Sequence, residues 1–390
     1  MLFLLCGSAV TVFSQIAIKG DEVWTMTGDP IVNGVVLIKD GKIEAVGPAA
    51  AVKIPANYRI ITAKFVTPGL IDAHSVVGLN GYMNQPHDQM ALDGSGPIQP
   101  ELRAIDAYNA EEKLIEWIRQ FGVTTVHTGH QPSALVSGQT LIAKTSGKTV
   151  DGSVIVPEAM IAVTLGNNAL AGQGRSPGTR AKQMAMLRAE LIKAQENSKK
   201  TDASKDLRSA AWVSVIKREI PLLITANKAQ DIMSALRLAK EFDLRIVLDG
   251  VADAQLVMDD IKASGFPVIV HPTMARAGGD SASLSMEDAA KIKRAGIPVA
   301  LQSGYEGYVP KTRVVLYEAA MAAQNGLSRN DAMALITIDA AKLLGLDSRI
   351  GSLAAGKDAD IALYDGDPFE WTSHCTGTII NGVVVSDVVR

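Results

Sequence analysis

Between residues 122 and 302 the chain alternates short, β-branched and apolar runs with stretches whose apolar residues recur every three or four positions. Few folds accept that alternation. The strand-like runs fall at 122–127, 161–165, 221–225, 245–249, 267–271 and 298–302, and the helical patterns at 181–195, 228–242, 254–264 and 286–295. Strand, helix and strand in succession argue for parallel βα units, because the helix carries the chain back to the start of the next strand. The stretch 136–154 breaks the rhythm with extra strand-like sequence, in which Ser137-Gly138 and Ser146-Gly147 read as turns. Residues 199–206 are polar and read as a loop.

The two ends of the chain follow a different pattern. Residues 16–24, 32–39 and 42–46 are short apolar runs, with Asp40-Gly41 between the last two, a strong hairpin signal. At the far end, 360–364 and 377–385 are strand-like, and Asn381-Gly382 supplies a second hairpin turn. The ends are therefore expected to pair with each other. A length of 390 residues is accounted for by one large α/β unit with a small accessory domain. The expected fold is an α/β protein: a (β/α)8 TIM-like barrel over 65–345, plus a small β-sandwich domain formed from 16–64 together with 346–390.

Composition narrows the function classes only a little. The chain is 47% apolar and 20% charged, and its net charge of −3 gives no reason to expect nucleic acid or an anionic membrane as partner. A small molecule is the expected partner, and a homo-oligomer is compatible with everything above. Two cysteines, Cys6 and Cys375, make neither a disulfide framework nor a zinc cluster. Residues 1–13 are apolar, with no charge before Lys19, and read as the core of a secretory signal over 1–15, cut near Ser14-Gln15. That reading places the protein in the periplasm or outside the cell. A buried first strand in a cytoplasmic protein is the alternative. Either way the run is too short for a transmembrane span. Gly147-Lys148-Thr149 lacks the earlier glycine of a phosphate loop, and Gly172-Gln173-Gly174 lacks the third glycine of a dinucleotide fingerprint. Residues 169–180 read as a loop with two solvated arginines, Arg175 and Arg180.

Chemistry concentrates in Val66-Thr67-Pro68-Gly69-Leu70-Ile71-Asp72-Ala73-His74, which reads as a strand carrying Asp72 and His74 to the carboxyl end of a sheet. This run resembles the first barrel strand of the amidohydrolase superfamily, in its imidazolonepropionase- and prolidase-like branch, whose signature is Pro-Gly-Leu-Ile-Asp-x-His-x-His. The closing run from Gly351 to Ile361 resembles the same family. The likeness covers nearly the whole chain and implies a barrel flanked by a β domain made from both ends. It also implies a metal-dependent hydrolase, whose ion lowers the pKa of a bound water to roughly 7.

The resemblance fails at the ligands. It implies a second histidine where Val76 stands, a histidine on strand five where Thr225 stands, and a histidine on strand six where Asp249 stands. It further implies an aspartate on strand eight where Gly304 stands, and a mid-barrel lysine, whereas Lys144 falls in the added hairpin. Threonine is a poor zinc ligand, and valine and glycine offer none. A binuclear centre is therefore not expected; at most one divalent ion, Zn²⁺ or Mn²⁺, would be held by His74 and Asp249.

His127, His130 and His271 join His74 and Asp249 near strand ends that face one rim. Each has a plain alternative as a hydrogen-bonded polar group at that rim. The expected site has Asp249 as general base and His271 as its catalytic companion, with His74 or His127 also able to polarise a substrate. His127, His130, Thr225 and Gln302 would line it. Residues 78–100 would fold over the mouth with His87-Asp88 as a solvated pair, and His374 would be structural. The expected function is hydrolysis of C–N bonds outside ordinary peptides, in a cyclic amide or modified dipeptide. The alternative is a degenerate barrel that binds a small polar ligand without catalysis.

Overall fold

The computed structural model describes residues 15–172, 174–199, 206–305 and 314–390. The signal reading of 1–15, Cys6, Gln173 and most of the polar loop 199–206 lie outside the described residues, so none of those expectations is addressed.

Seventeen strands are described, in three sheets. Strands β1 (Ile16–Val23), β2 (Ile31–Lys39), β3 (Lys42–Pro48) and β4 (Arg59–Pro68) come from the front of the chain. Next come β5 (Leu70–Ser75), β6 (Val123–Thr128), β7 (Val136–Gln139), β8 (Leu141–Lys144), β9 (Val154–Val156) and β10 (Ile161–Thr164). They are followed by β11 (Leu222–Ala226), β12 (Ile246–Gly250), β13 (Val268–Val270) and β14 (Val299–Ala300). The last three are β15 (Ile361–Tyr364), β16 (Cys375–Ile380) and β17 (Val383–Ser386).

Both ends share one seven-stranded sheet, in the order β17-β16-β15-β4-β1-β2-β3. Its hairpins form where two consecutive residues take positive φ, at Asp40 (51°) and Gly41 (78°), and at Asn381 (49°) and Gly382 (75°). These are the conformations that twist-matched two-residue turns require. The sheet buries apolar side chains on both faces: Ile16, Ile18, Val36 and Ile38 against Leu353 and Ala359 on one, and Ala17, Val35 and Leu37 against Tyr58 on the other. The changeover to the middle of the chain falls at Gly69, because β4 stays in the end sheet through Pro68, paired to β1 and β15. A Cβ at Gly69 would stand 2.2 Å from the Thr124 hydroxyl, so only glycine lets the chain pass there.

The middle is a TIM-barrel-type α/β arrangement. Strands β10 to β14 run parallel in one sheet, and β5 pairs parallel with β6 in another. The segment from β7 through Thr140 to β8 runs antiparallel and joins both sheets, with β7 on β10 and β8 on β6. At the opposite edge Ser75 bridges Gly304, and the Ala73 N–H donates to Leu301 O at 3.2 Å. Helices cover the outside. The helix Ala229–Phe242 turns Ile232, Ala235, Leu238, Ala239 and Phe242 inward at three- and four-residue spacing. Ser137-Gly138 is not a turn: both lie within β7. A Cβ at Gly138 would fall 2.5 Å from His130 and 2.6 Å from Leu102 O, so this glycine serves close approach within a strand.

Candidate functional site at the strand ends

Strand periodicity builds the site. Leu223, Val247, Ile269 and Ala300 belong to one buried apolar cluster. Two residues further along each segment, on the same face, stand Thr225, Asp249, His271 and Gln302. The register of β5 against β6 shifts between Asp72 and Ser75, and His74 joins the layer from that irregular stretch. All five side chains are at most 4% exposed.

Asp249 is the hub. Its Oδ2 accepts the Thr225 hydroxyl at 2.6 Å and its Oδ1 accepts Gln302 Nε2 at 2.7 Å, while His74 Nδ1 lies 3.2 Å from Oδ1. Burial pushes this carboxyl upward, but the nearby His74, with the bonds from Thr225 and Gln302, outweighs burial and holds it below the usual carboxylate range. The chain then turns sharply through Gly250 (φ 85°) and Val251 (φ 51°). A β-branched residue in the left-handed region is strained by roughly 1–3 kcal/mol, and such strain clusters where geometry is functional.

The remaining candidates have other partners. His271 lies beside Gln302 along the same cavity wall, its Nε2 2.9 Å from Asp288 and its Nδ1 2.9 Å from Pro272 O. His127 packs its ring 5.9 Å from that of His74, yet both its nitrogens are occupied: Nδ1 by Ala73 O and Nε2 by the Thr140 hydroxyl, each at 2.7 Å. A carbonyl only accepts, so Nδ1 carries the proton and Nε2 accepts. Burial, then the neighbouring His74, press the pKa of His127 down to about 3 and keep the ring neutral. His130 sits elsewhere, against Gly138, with Leu102 O and Ala91 O beside it and its pKa lowered chiefly by burial. His87 and His374 are half-exposed or more and lie beside Asp88 and Asp365. Lys144 is buried at the junction with the end sheet, where it contacts Asp358, Asp360 and Asn381.

The sequence places Asp72 at this strand end without a partner and does not single out Asn227. Asp72 is buried and accepts both the N–H and the hydroxyl of Ser303; burial raises its pKa to about 6. Asn227, two residues past Thr225, seats its amide against Gly250 and accepts the Ala252 N–H at 3.3 Å. Its position after a strand end was the available signal.

The donor set does not fit a catalytic divalent ion. Such a site takes three protein ligands and an open position. Here His74 and Asp249 are two groups already in contact, their neighbours Thr225 and Gln302 are neutral, and His127 and His271 have both ring nitrogens engaged. Among the described residues no three His, Cys, Asp or Glu side chains gather where they could hold an ion. Among the described residues, too, no helix is long and apolar enough to cross a membrane.

The chain is 25% identical over 374 residues to an imidazolonepropionase of Fusobacterium nucleatum, 85% of each chain being covered, and 24% identical over 368 residues to one of Brucella anthropi, at 85% and 87% coverage. A solved amidohydrolase of Thermotoga maritima superposes with a TM-score of 0.90 at 27% identity, covering 96% of this chain and all of that one. A Xaa-Pro dipeptidase structure, at 14% identity and a TM-score of 0.56 over 96% of this chain and all of that one, shares the fold. A model of the amidohydrolase family matches residues 79–386. This chain belongs to the amidohydrolase family.

Proposed function

We propose that the protein is an amidohydrolase-type hydrolase of C–N bonds outside ordinary peptides, acting on a cyclic or modified amide. The observation that carries the reading is the buried layer in which Asp249 gathers His74, Thr225 and Gln302 at the carboxyl ends of barrel strands, where folds of this type keep their chemistry. In this reading β5, β6, the β7–β8 segment and β10 to β14 make one closed ring around that layer. Asp249 takes a proton from the water that attacks the carbonyl carbon and returns it to the nitrogen as the C–N bond breaks, His74 polarises the substrate carbonyl, and Thr225 and Gln302 hold the carboxylate in place. His127 has no free nitrogen for that work. A carboxylate held below its ordinary range is a weak base near neutrality, so slow turnover is expected. No step is routed through a metal ion, because the residues present do not make a site for one.

One observation favours a second reading, a ligand-binding barrel without catalysis: His74 and Asp249 have no exposed surface, and both Asp249 oxygens are already bonded. A panel of lactams, cyclic imides and modified dipeptides separates the two. Under the hydrolase reading the parent turns over one class, and Asp249→Asn, which keeps the shape, abolishes that turnover with little change in thermal unfolding. Turnover that survives Asp249→Asn removes Asp249 from the chemistry. A parent that binds panel members and hydrolyses none selects the second reading.

A further inference from the structure

His74 and Asp249 have no exposed surface, so a ligand reaches them only if a covering segment moves. The long loop after β5 leaves the barrel directly beyond His74 and is stitched down along β7. Ile98 bridges Val136 and Arg103 bridges Gln139, both in parallel sense. Gln99 donates its N–H to Val136 O, Val136 to Pro97 O and Gln139 to Leu102 O, at 2.9, 2.9 and 2.7 Å.

His130 stands inside that seam. It is 5% exposed, and a Cβ at Gly138 would fall 2.5 Å from its Nε2, so a glycine on β7 leaves the ring its place. The two carbonyls beside it, Ala91 O and Leu102 O, belong to the loop, and each already accepts a backbone N–H, from Gln131 and Gln139. Among the described residues neither ring nitrogen has a partner in hydrogen-bonding geometry. A buried imidazole without partners is costly, and an alkyl side chain would fill the space without that cost. What the ring adds is a response to protons.

We propose that His130 is an acid-released latch: the neutral ring wedges residues 89–103 against β7, and the protonated ring lets that seam open. The turn 129–135 and β7 carry no other titratable group, and His127, on β6, has both nitrogens engaged. On the loop, Glu101 faces Arg208, and Arg103 is bound to Asp106 and lies beside Glu158. Asp93 faces His130 from an exposed position; burial outweighs its attraction and holds the ring below its ordinary pKa of 6.5. With the loop open, the ring returns to that ordinary value. The open form therefore binds more protons at acid pH, so the closed seam is fully stable above about 6.5 and weakens as the pH falls below it. The consequence for the buried layer rests on the reading that the barrel mouth receives the substrate; the latch itself does not.

Amide hydrogen exchange on the full chain at pH 7.5, 6.5 and 5, corrected for the intrinsic effect of pH, tests it. Peptides covering 89–103 and 129–139 should lose about tenfold in protection between pH 7.5 and 5, while those from β10 to β14 change little. His130→Asn, which takes up no proton, should flatten the response. A seam equally protected across the range overturns the proposal, as does a response that survives His130→Asn or one shared by the whole barrel. If that variant does not fold, the parent decides: the His130 ring resonance must titrate with the midpoint at which protection is lost, and separate midpoints overturn the latch. Hydrolysis is read apart from this. A seam response in a protein that turns over no amide retires the hydrolase reading and leaves the latch standing, whereas turnover without a seam response does the reverse.

Discussion

Replacing Asp72 by asparagine should stabilise this protein at alkaline pH and not at acid pH. The Asp72 carboxyl is sealed in the core with Ser303 donating to it twice, and burial, the largest influence, moves its pKa from the ordinary 3.8 to about 6. A folded-state pKa above the unfolded one means that folding favours the protonated acid. Its contribution to stability is complete below pH 3.8 and is lost as the pH rises through about 6. A gap of about two pH units at ~1.4 kcal/mol each corresponds to about 3 kcal/mol lost above pH 7. Asparagine has nearly the same shape. Its oxygen still accepts the Ser303 N–H, and its NH2 can donate to the Ser303 hydroxyl, so the variant mimics the neutral acid at every pH. Urea unfolding of parent and variant at pH 4.5, 6 and 8 should show a gain of roughly 1–3 kcal/mol at pH 8 that shrinks steadily toward pH 4.5. A difference that does not change with pH, or a variant weaker than the parent at pH 8, would refute the reasoning, because both mean that no buried charge is being removed.

Other perturbations follow from the same contacts. Lys144→Met strips the cation from between Asp358 and Asp360 and should cost about 3–5 kcal/mol at neutral pH, partly recovered on acidification; urea unfolding at two pH values reads this. Asp280→Ala unfastens the loop after β13 from Arg180 and Asn167. Limited proteolysis within 272–287 should quicken while global stability changes by no more than about 1 kcal/mol, and an unchanged cleavage rate would show that Asp280 does not hold the loop. Elemental analysis of protein purified without added metal should find no more than one equivalent per chain, since Val76, Thr225 and Gly304 supply no ligands; two equivalents would overturn the ligand reading.

What could be read in the sequence was whatever short-range rules decide. Asp40-Gly41 and Asn381-Gly382 announce their hairpins because the turn itself demands positive φ at both residues. Thr225, Asp249, His271 and Gln302 fall into one layer because each lies two positions beyond an apolar inward residue, a count any strand obeys. What could not be read depends on partners far along the chain. His127 loses both nitrogens to Ala73 and Thr140, which reach it only through pairing of β6 with β5 and β8. Lys144 meets its aspartates more than two hundred residues away, in the end sheet. Gly138 resembled a turn glycine, and only the His130 ring pressed against it explains why a strand keeps a glycine there.

The shared end sheet sets a timetable for synthesis. Val66 on β4 pairs with Leu363 on β15, about three hundred residues later. At roughly 5–20 residues per second, β4 waits on the order of 15–60 s for that neighbour to leave the ribosome. Throughout that interval β1, β2 and β3 can already zip onto one side of β4, while its other edge presents unpaired amides and carbonyls beside Val66. The nascent chain thus carries an open, apolar strand edge throughout the synthesis of the barrel. Only when β15 emerges can that edge be closed.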